Sequence, residues 1–159
     1  MRQSVGTTTL FQIVLAFTLL FSAFLAVAIT YNKVFKLKNE TLSIIEKYEG
    51  ISSTSLEIIN NYLKNNGYSV KNNCDSDEFG VTSLELAQYE RANSNTKYYY
   101  CLKSYCAKDG SACIIGSTDI YYGVKLFFKF NLPFMGELTT FKITGETKSI
   151  NYYTDNQKL

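Results

Sequence analysis

The sequence predicts an α+β fold: a long N-terminal helix with a transmembrane half and an amphipathic half, a short second helix, then an antiparallel sheet of about four strands. Three observations carry this. An uncharged apolar run passes, without Pro or Gly, into a stripe of apolar residues at three- and four-residue steps. A second helical segment follows and stops at Gly67. From Tyr68 onward, aromatic and β-branched residues dominate and alternate with polar ones.

The apolar run is LFQIVLAFTLLFSAFLAVAI, Leu10 to Ile29, 20 residues without a charge. A helix of that length covers about 30 Å, the thickness of a bilayer's hydrocarbon core. The expectation is a retained single-pass anchor in residues 1–32. Length argues against a core helix, and the run exceeds a usual signal-peptide core, although Ala26-Val-Ala28 fits a small-x-small cleavage site. Beyond Ile29, Val34, Leu37, Thr41, Ile44, Tyr48 and Ile51 form one stripe, with lysines, Glu40 and Glu46 on the other faces. This reads as one helix of roughly 40 residues ending near Gly50, or as two with a hinge at Tyr31 to Lys33.

Residues 33–159 are expected to form the globular α+β domain. In TSLEIINNYLKNNG, Thr54 and Glu57 have capping-box spacing, and Leu56, Ile59 and Leu63 form the inward stripe. YGVKLFFKFNLP reads as a half-buried strand, with Val124, Leu126, Phe128, Phe130 and Leu132 inward and Lys125, Phe127, Lys129 and Asn131 outward. Pro133 would end it. TFKITGETKSINYY supplies another strand, with Phe141 and Ile143 on one side. Turns are expected at NNCDSDEFG, RANSNT and KDG, giving a meander.

Composition excludes several functions. The net charge of +2 has no concentrated basic run, which argues against nucleic acid. The chain contains no histidine, which removes imidazole acid–base chemistry and His metal sites. Asp75, Asp77, Glu78, Glu85, Asp109 and Asp119 show no spacing that implies a catalytic pair, and CDSDEFG lacks the EF-hand pattern, so it reads as a solvated acidic loop. No enzyme, cofactor, metal or small-molecule substrate is expected. The tyrosines at 98–100, 121–122 and 152–153 read as strand formers, or alternatively as a sticky face.

CLKSYCAKDGSAC holds three of the four cysteines. There is no CxxC knuckle for zinc or redox chemistry and no His to activate a thiol. If Asp109-Gly110 is a two-residue hairpin turn, Cys106 faces Cys113 at disulfide distance. Cys74 then pairs with Cys101 by elimination. Disulfides persist in oxidising compartments, so the domain is expected outside the cytoplasm. This outweighs Lys33, Lys36 and Lys38, which under the positive-inside rule would place it within.

A membrane-spanning helix that continues as the spine of a small extracytoplasmic domain resembles type IV pilins. LSIIEKYEGISSTSLEIINNYLKNNGYSV, followed by VKLFFKFNLPFMGELTTFKITGETKSI, looks similar to TadE-like pseudopilins of Tad pili and related secretion systems. The resemblance implies a structural minor pilin whose partners are the lipid bilayer and other pilin-like or secretion-system membrane subunits. It implies processing at Gly6, which would make Phe11 the fifth residue where pilins carry Glu; Gln12 is the nearest polar residue and a candidate interhelical hydrogen-bond donor. Helix packing and assembly would fall to Gln12, Val34, Leu37, Ile44 and Tyr48. The alternative is a single-pass anchored cell-surface binding domain that does not polymerise.

Overall fold

In the computed structural model, which describes residues 2–106, 119–129, 131–132, 136–137 and 140–151, helix α1 runs unbroken over Arg2–Lys47, 46 residues. That is about 70 Å of helix. No hinge interrupts Tyr31 to Lys33, so the boundary expected after residue 32 falls inside a continuous helix. Helix α2 spans Ser53–Asn65. The strands are β1 (Phe79–Val81), β2 (Glu90–Arg91), β3 (Tyr100–Cys106), β4 (Asp119–Phe128), β5 (Asn131–Leu132), β6 (Gly136–Glu137), β7 (Phe141–Glu146) and β8 (Ile150–Asn151).

The α+β class and the order of helices and sheet are as expected. The antiparallel sheet has the order β2-β1-β3-β4-β7, with β8 also paired to β4, and β5 pairs with β6 separately. The sequence alone leads to a plain meander, but β1 lies between β2 and β3. The single closing strand expected after Thr140 is two. Thr147 interrupts it, buried, its N–H donating to the Tyr122 carbonyl while its Oγ1 accepts from the Tyr122 N–H, each at 2.9 Å. Pro133 and the KDG turn lie outside the described residues.

Gly50 closes α1 as expected, at φ 133°, and Glu49 just before it takes the left-handed conformation, with φ 54°. The Gly50 N–H reaches back to the Ile45 carbonyl and the Glu49 N–H to that of Glu46, a Schellman closure. An L-residue is strained there. Glu49→Gly is therefore expected to stabilise the domain by about 0.5–1 kcal/mol, after Gly's larger unfolded entropy is counted. An unchanged or lower midpoint in thermal denaturation would refute this. Helix α2 is capped by Ser52 with Ser55, whose hydroxyl accepts from the Ser52 N–H at 2.8 Å. The Thr54/Glu57 pairing expected from spacing falls inside the first turn instead. Gly67, at φ 68°, closes α2 as predicted.

The main core lies between the helices and one face of the sheet. Val34, Leu37, Leu42, Ile44 and Ile45 of α1 and Leu56, Ile59 and Leu63 of α2 pack on Tyr100, Leu102, Val124, Leu126 and Phe128. Tyr48, expected in the stripe, is exposed; Ile45 and Leu42 take up the core contact, because the buried arc turns with the 3.6-residue period. Asn60 sits at a core position of α2. Its Nδ2 donates to the Leu86 carbonyl at 3.0 Å and its Oδ1 accepts from the Tyr100 hydroxyl at 2.8 Å.

The other face of the sheet is covered as well. Residues 68–78 cross it, and Val70, Cys74, Ala92, Tyr98, Cys101 and Phe127 form a second core. Lys125 and Phe127, expected on a solvated face, are 8% and 1% exposed. Alternation along β4 distinguishes the two faces but carries no information on what lies over the polar one. Tyr98 lies flat on Gly80, where a Cβ would approach its ring within 2.2 Å.

Candidate functional site

Two features stand out: an uncovered apolar helix and a covalently braced polar cluster. From Leu10 to Ile29 the large apolar side chains of α1 are exposed, including Phe11, Phe17, Leu20, Phe24 and Ile29. Thr8–Lys47 is long and apolar enough to cross a membrane, and its most apolar stretch is 0% buried by the rest of the chain. A helix apolar on all sides has no solvated face, so lipid or other helices must cover it. Its few hydroxyls are internally satisfied: Thr18 donates to the Leu15 carbonyl and Ser22 to that of Leu19, each at 2.9 Å. Gln12 is exposed on this helix. Gly6 lies on its first turns, where side chains are outside the described residues.

The exit of this helix from the domain is braced by rings. Tyr31 meets Phe128 edge-on at 6.4 Å and stacks with Phe35 at 6.2 Å, while Phe128 stacks on Phe141 of β7 at 5.6 Å. One turn further, Leu42 and Lys38 pack against Gly145, where an added Cβ would lie 2.7 Å from the Leu42 Cδ1 and would have to displace these side-chain ends. Val34, Leu37 and Ile44 are committed to the chain's own core, so the domain is fixed to the helix rather than tethered by it.

On the far face of the sheet, Cys74 is bonded to Cys101, Cα to Cα 5.7 Å, as the sequence reading expected. Cys106 is also disulfide-bonded, and Cys113 lies outside the described residues. Beside the Cys74–Cys101 bridge, the buried Lys125 ammonium donates to Asp75 at 2.7 Å and to Glu78. Glu78 also accepts from the Asp75 N–H at 2.9 Å, which folds the loop over the lysine. Lys103 pairs with Asp77. The hydrogen bond from Lys125 holds the Asp75 carboxyl below its usual range, and Lys103 does the same for Asp77. Burial pulls the Lys125 ammonium down, but its bonds to Asp75 and Glu78 outweigh this and leave it above the ordinary lysine value.

Cys74, Glu78 and Cys101 bring three potential metal-ligand atoms within 4.8 Å of one another. Both sulfurs are consumed in the disulfide and Glu78 already holds a cation, so the cluster is a brace and not a metal centre. The acidic loop expected to be solvated thus sends Glu78 inward, because Lys125 waits beneath it. No family model, curated protein or solved structure matches this chain.

The tyrosines divide. Tyr98, Tyr100 and Tyr122 are buried, Tyr105 and Tyr121 stack at 4.9 Å, and Tyr152 and Tyr153 lie outside the described residues. Among the described residues, these tyrosines do not form one continuous exposed face. Tyr68 and Asn60, to which the sequence alone assigns no role, are buried polar keystones. The Tyr68 hydroxyl donates to the Tyr99 carbonyl and accepts from the Phe127 N–H, each at 2.8 Å. Burial pushes the Tyr68 and Tyr100 phenols well above the ordinary tyrosine value, so both stay neutral donors. Tyr68→Phe strands two backbone groups and is expected to cost about 1–3 kcal/mol in chemical denaturation. A loss below the measurement error would contradict this role.

Proposed function

We propose that the chain is a single-pass membrane protein that holds a disulfide-braced α+β domain outside the cytoplasm, and that it serves as a structural subunit of the minor-pilin or pseudopilin kind in a Tad-type pilus or secretion system. One observation carries this reading. The same α1 whose far half forms the core of the domain has a near half left wholly uncovered. Such a helix transmits position rigidly from the membrane to the domain, which suits a subunit that packs by its anchor. Its partners are the bilayer and the apolar helices of other membrane subunits.

The uncovered residues available for such packing are those of Leu10 to Ile29, Gln12 among them, since Val34, Leu37 and Ile44 are already used within the chain. An interhelical hydrogen bond from Gln12 in lipid contributes about 0.6–2 kcal/mol. The absence of Glu at the fifth residue after Gly6 favours a second reading, an anchored surface domain that binds partners without polymerising.

A cysteine introduced by Leu20→Cys discriminates between them, because none of the described cysteines is free. The subunit reading predicts oxidative cross-links through this position in the producing cells, and the chain in sheared surface filaments. Monomers alone, with no chain in the sheared fraction, leave the anchored-domain reading and overturn assembly.

A further inference from the structure

We propose that the membrane-proximal rim of the domain docks on anionic phospholipid headgroups of the leaflet from which α1 emerges; this rests on the anchored reading above. If Leu10 to Ile29 fill the hydrocarbon core, the helix rise puts Tyr31, Lys33, Phe35 and Lys36 about 3–10 Å above it, within or at the edge of the headgroup layer. Helical side chains lean towards the helix N-terminus, so Lys33 and Lys36 reach back down to the phosphates.

The chemistry of that level is consistent. Tyr31, Phe35 and Phe141 are 47%, 42% and 40% exposed, although each has a ring neighbour. Lys33 and Lys36 are exposed on the opposite side of the helix. Lys38 lies 4.4 Å from the Phe35 ring centroid. No Asp or Glu occurs before Glu40. Aromatic rings with lysines around them are the composition of a membrane–water interface. The sheet also reaches this level, because Phe128 and Phe141, where β4 ends and β7 begins, pack towards Tyr31. A second copy of this chain is a poor occupant: it would bring its own Lys33 and Lys36 against these. The lysines that count against an outward domain under the positive-inside rule thus acquire a contact of their own.

The chain has no tryptophan, so Phe35→Trp gives a single reporter. The full-length F35W chain, one copy per lipid nanodisc, is compared in phosphatidylcholine alone and with added phosphatidylglycerol, using lipids brominated near the headgroup as quenchers. Quenching is expected to rise with phosphatidylglycerol and to return to the neutral-lipid level in high salt or in K33Q/K36Q, each lysine contributing about fivefold to rim–lipid association. An L20W chain, quenched by deeply brominated lipid in both compositions, shows the anchor in place. Quenching in L20W but not in F35W overturns the docking alone, as does F35W quenching that ignores both the anionic lipid and K33Q/K36Q. A signal that appears only with two copies per disc assigns the rim to a second copy and overturns it too. No quenching in L20W overturns the anchored reading itself.

Discussion

Lys125→Met is expected to destabilise the domain by about 3–5 kcal/mol, because it leaves the buried Glu78 carboxyl without its cation beneath the loop. Lys125 and Glu78 have side chains that are each 9% exposed, so water cannot take over the lost contact. Asp75 is mostly exposed and recovers its hydration, so it adds little to the loss. In thermal melts the shift is on the order of 10 °C for a domain of this size. The double variant K125M/E78Q removes both charges while keeping an acceptor for the Asp75 N–H. It should recover much of the loss, and a cycle that is merely additive would show that the two residues do not act as a pair.

The ion pairs of Lys125 with Asp75 and of Lys103 with Asp77 set the pH dependence. Asp75 and Asp77 have carboxyls held below their unfolded values, so their contribution is complete above about pH 4 and is lost as pH falls through the folded values. Lys125 and Lys103 are held above their unfolded value, so theirs is complete below about pH 10 and is lost as pH rises through the folded values. Stability should therefore be flat between these limits and fall on both sides, with both falls reduced in K125M.

Removing the Cys74–Cys101 bridge by a double alanine substitution is expected to cost about 3–4 kcal/mol, the loop-closure entropy for a separation of 27 residues. The bridge joins the covering loop to the centre of the sheet, where Cys101 stands opposite Lys125. Its loss should therefore loosen residues 68–78 and weaken the lysine cluster as well. Hydrogen exchange should rise across that segment before it rises in β3 and β4. Uniform exchange across the whole domain would contradict the bracing role.

Much of this architecture was legible because its signals are local and periodic. The lipid-length run, the α1 stripe, the α2 stripe with Gly67 and the inward face of β4 each repeat over several turns or residues. The Cys74–Cys101 pairing followed from elimination. What escaped depends on contacts distant in sequence. Nothing near Lys125 announces that a loop 50 residues earlier lies over it, and strands as short as β1 and β2 are too brief to show alternation. Asn60 did leave a trace, a polar residue at a core position of α2 between Leu56 and Leu63. Gly50 marks the end of α1 in the sequence, but nothing there shows that Glu49, one residue earlier, also adopts a positive φ.

Labelling intact cells with a membrane-impermeant maleimide tests whether the anchored domain is held in an oxidising space. No reaction is expected until a membrane-impermeant reductant is added, then labelling of a chain that stays in the carbonate-resistant membrane fraction. Thiols that react without reductant, and only once the cells are opened, would place the domain in a reducing cytosol and contradict this expectation.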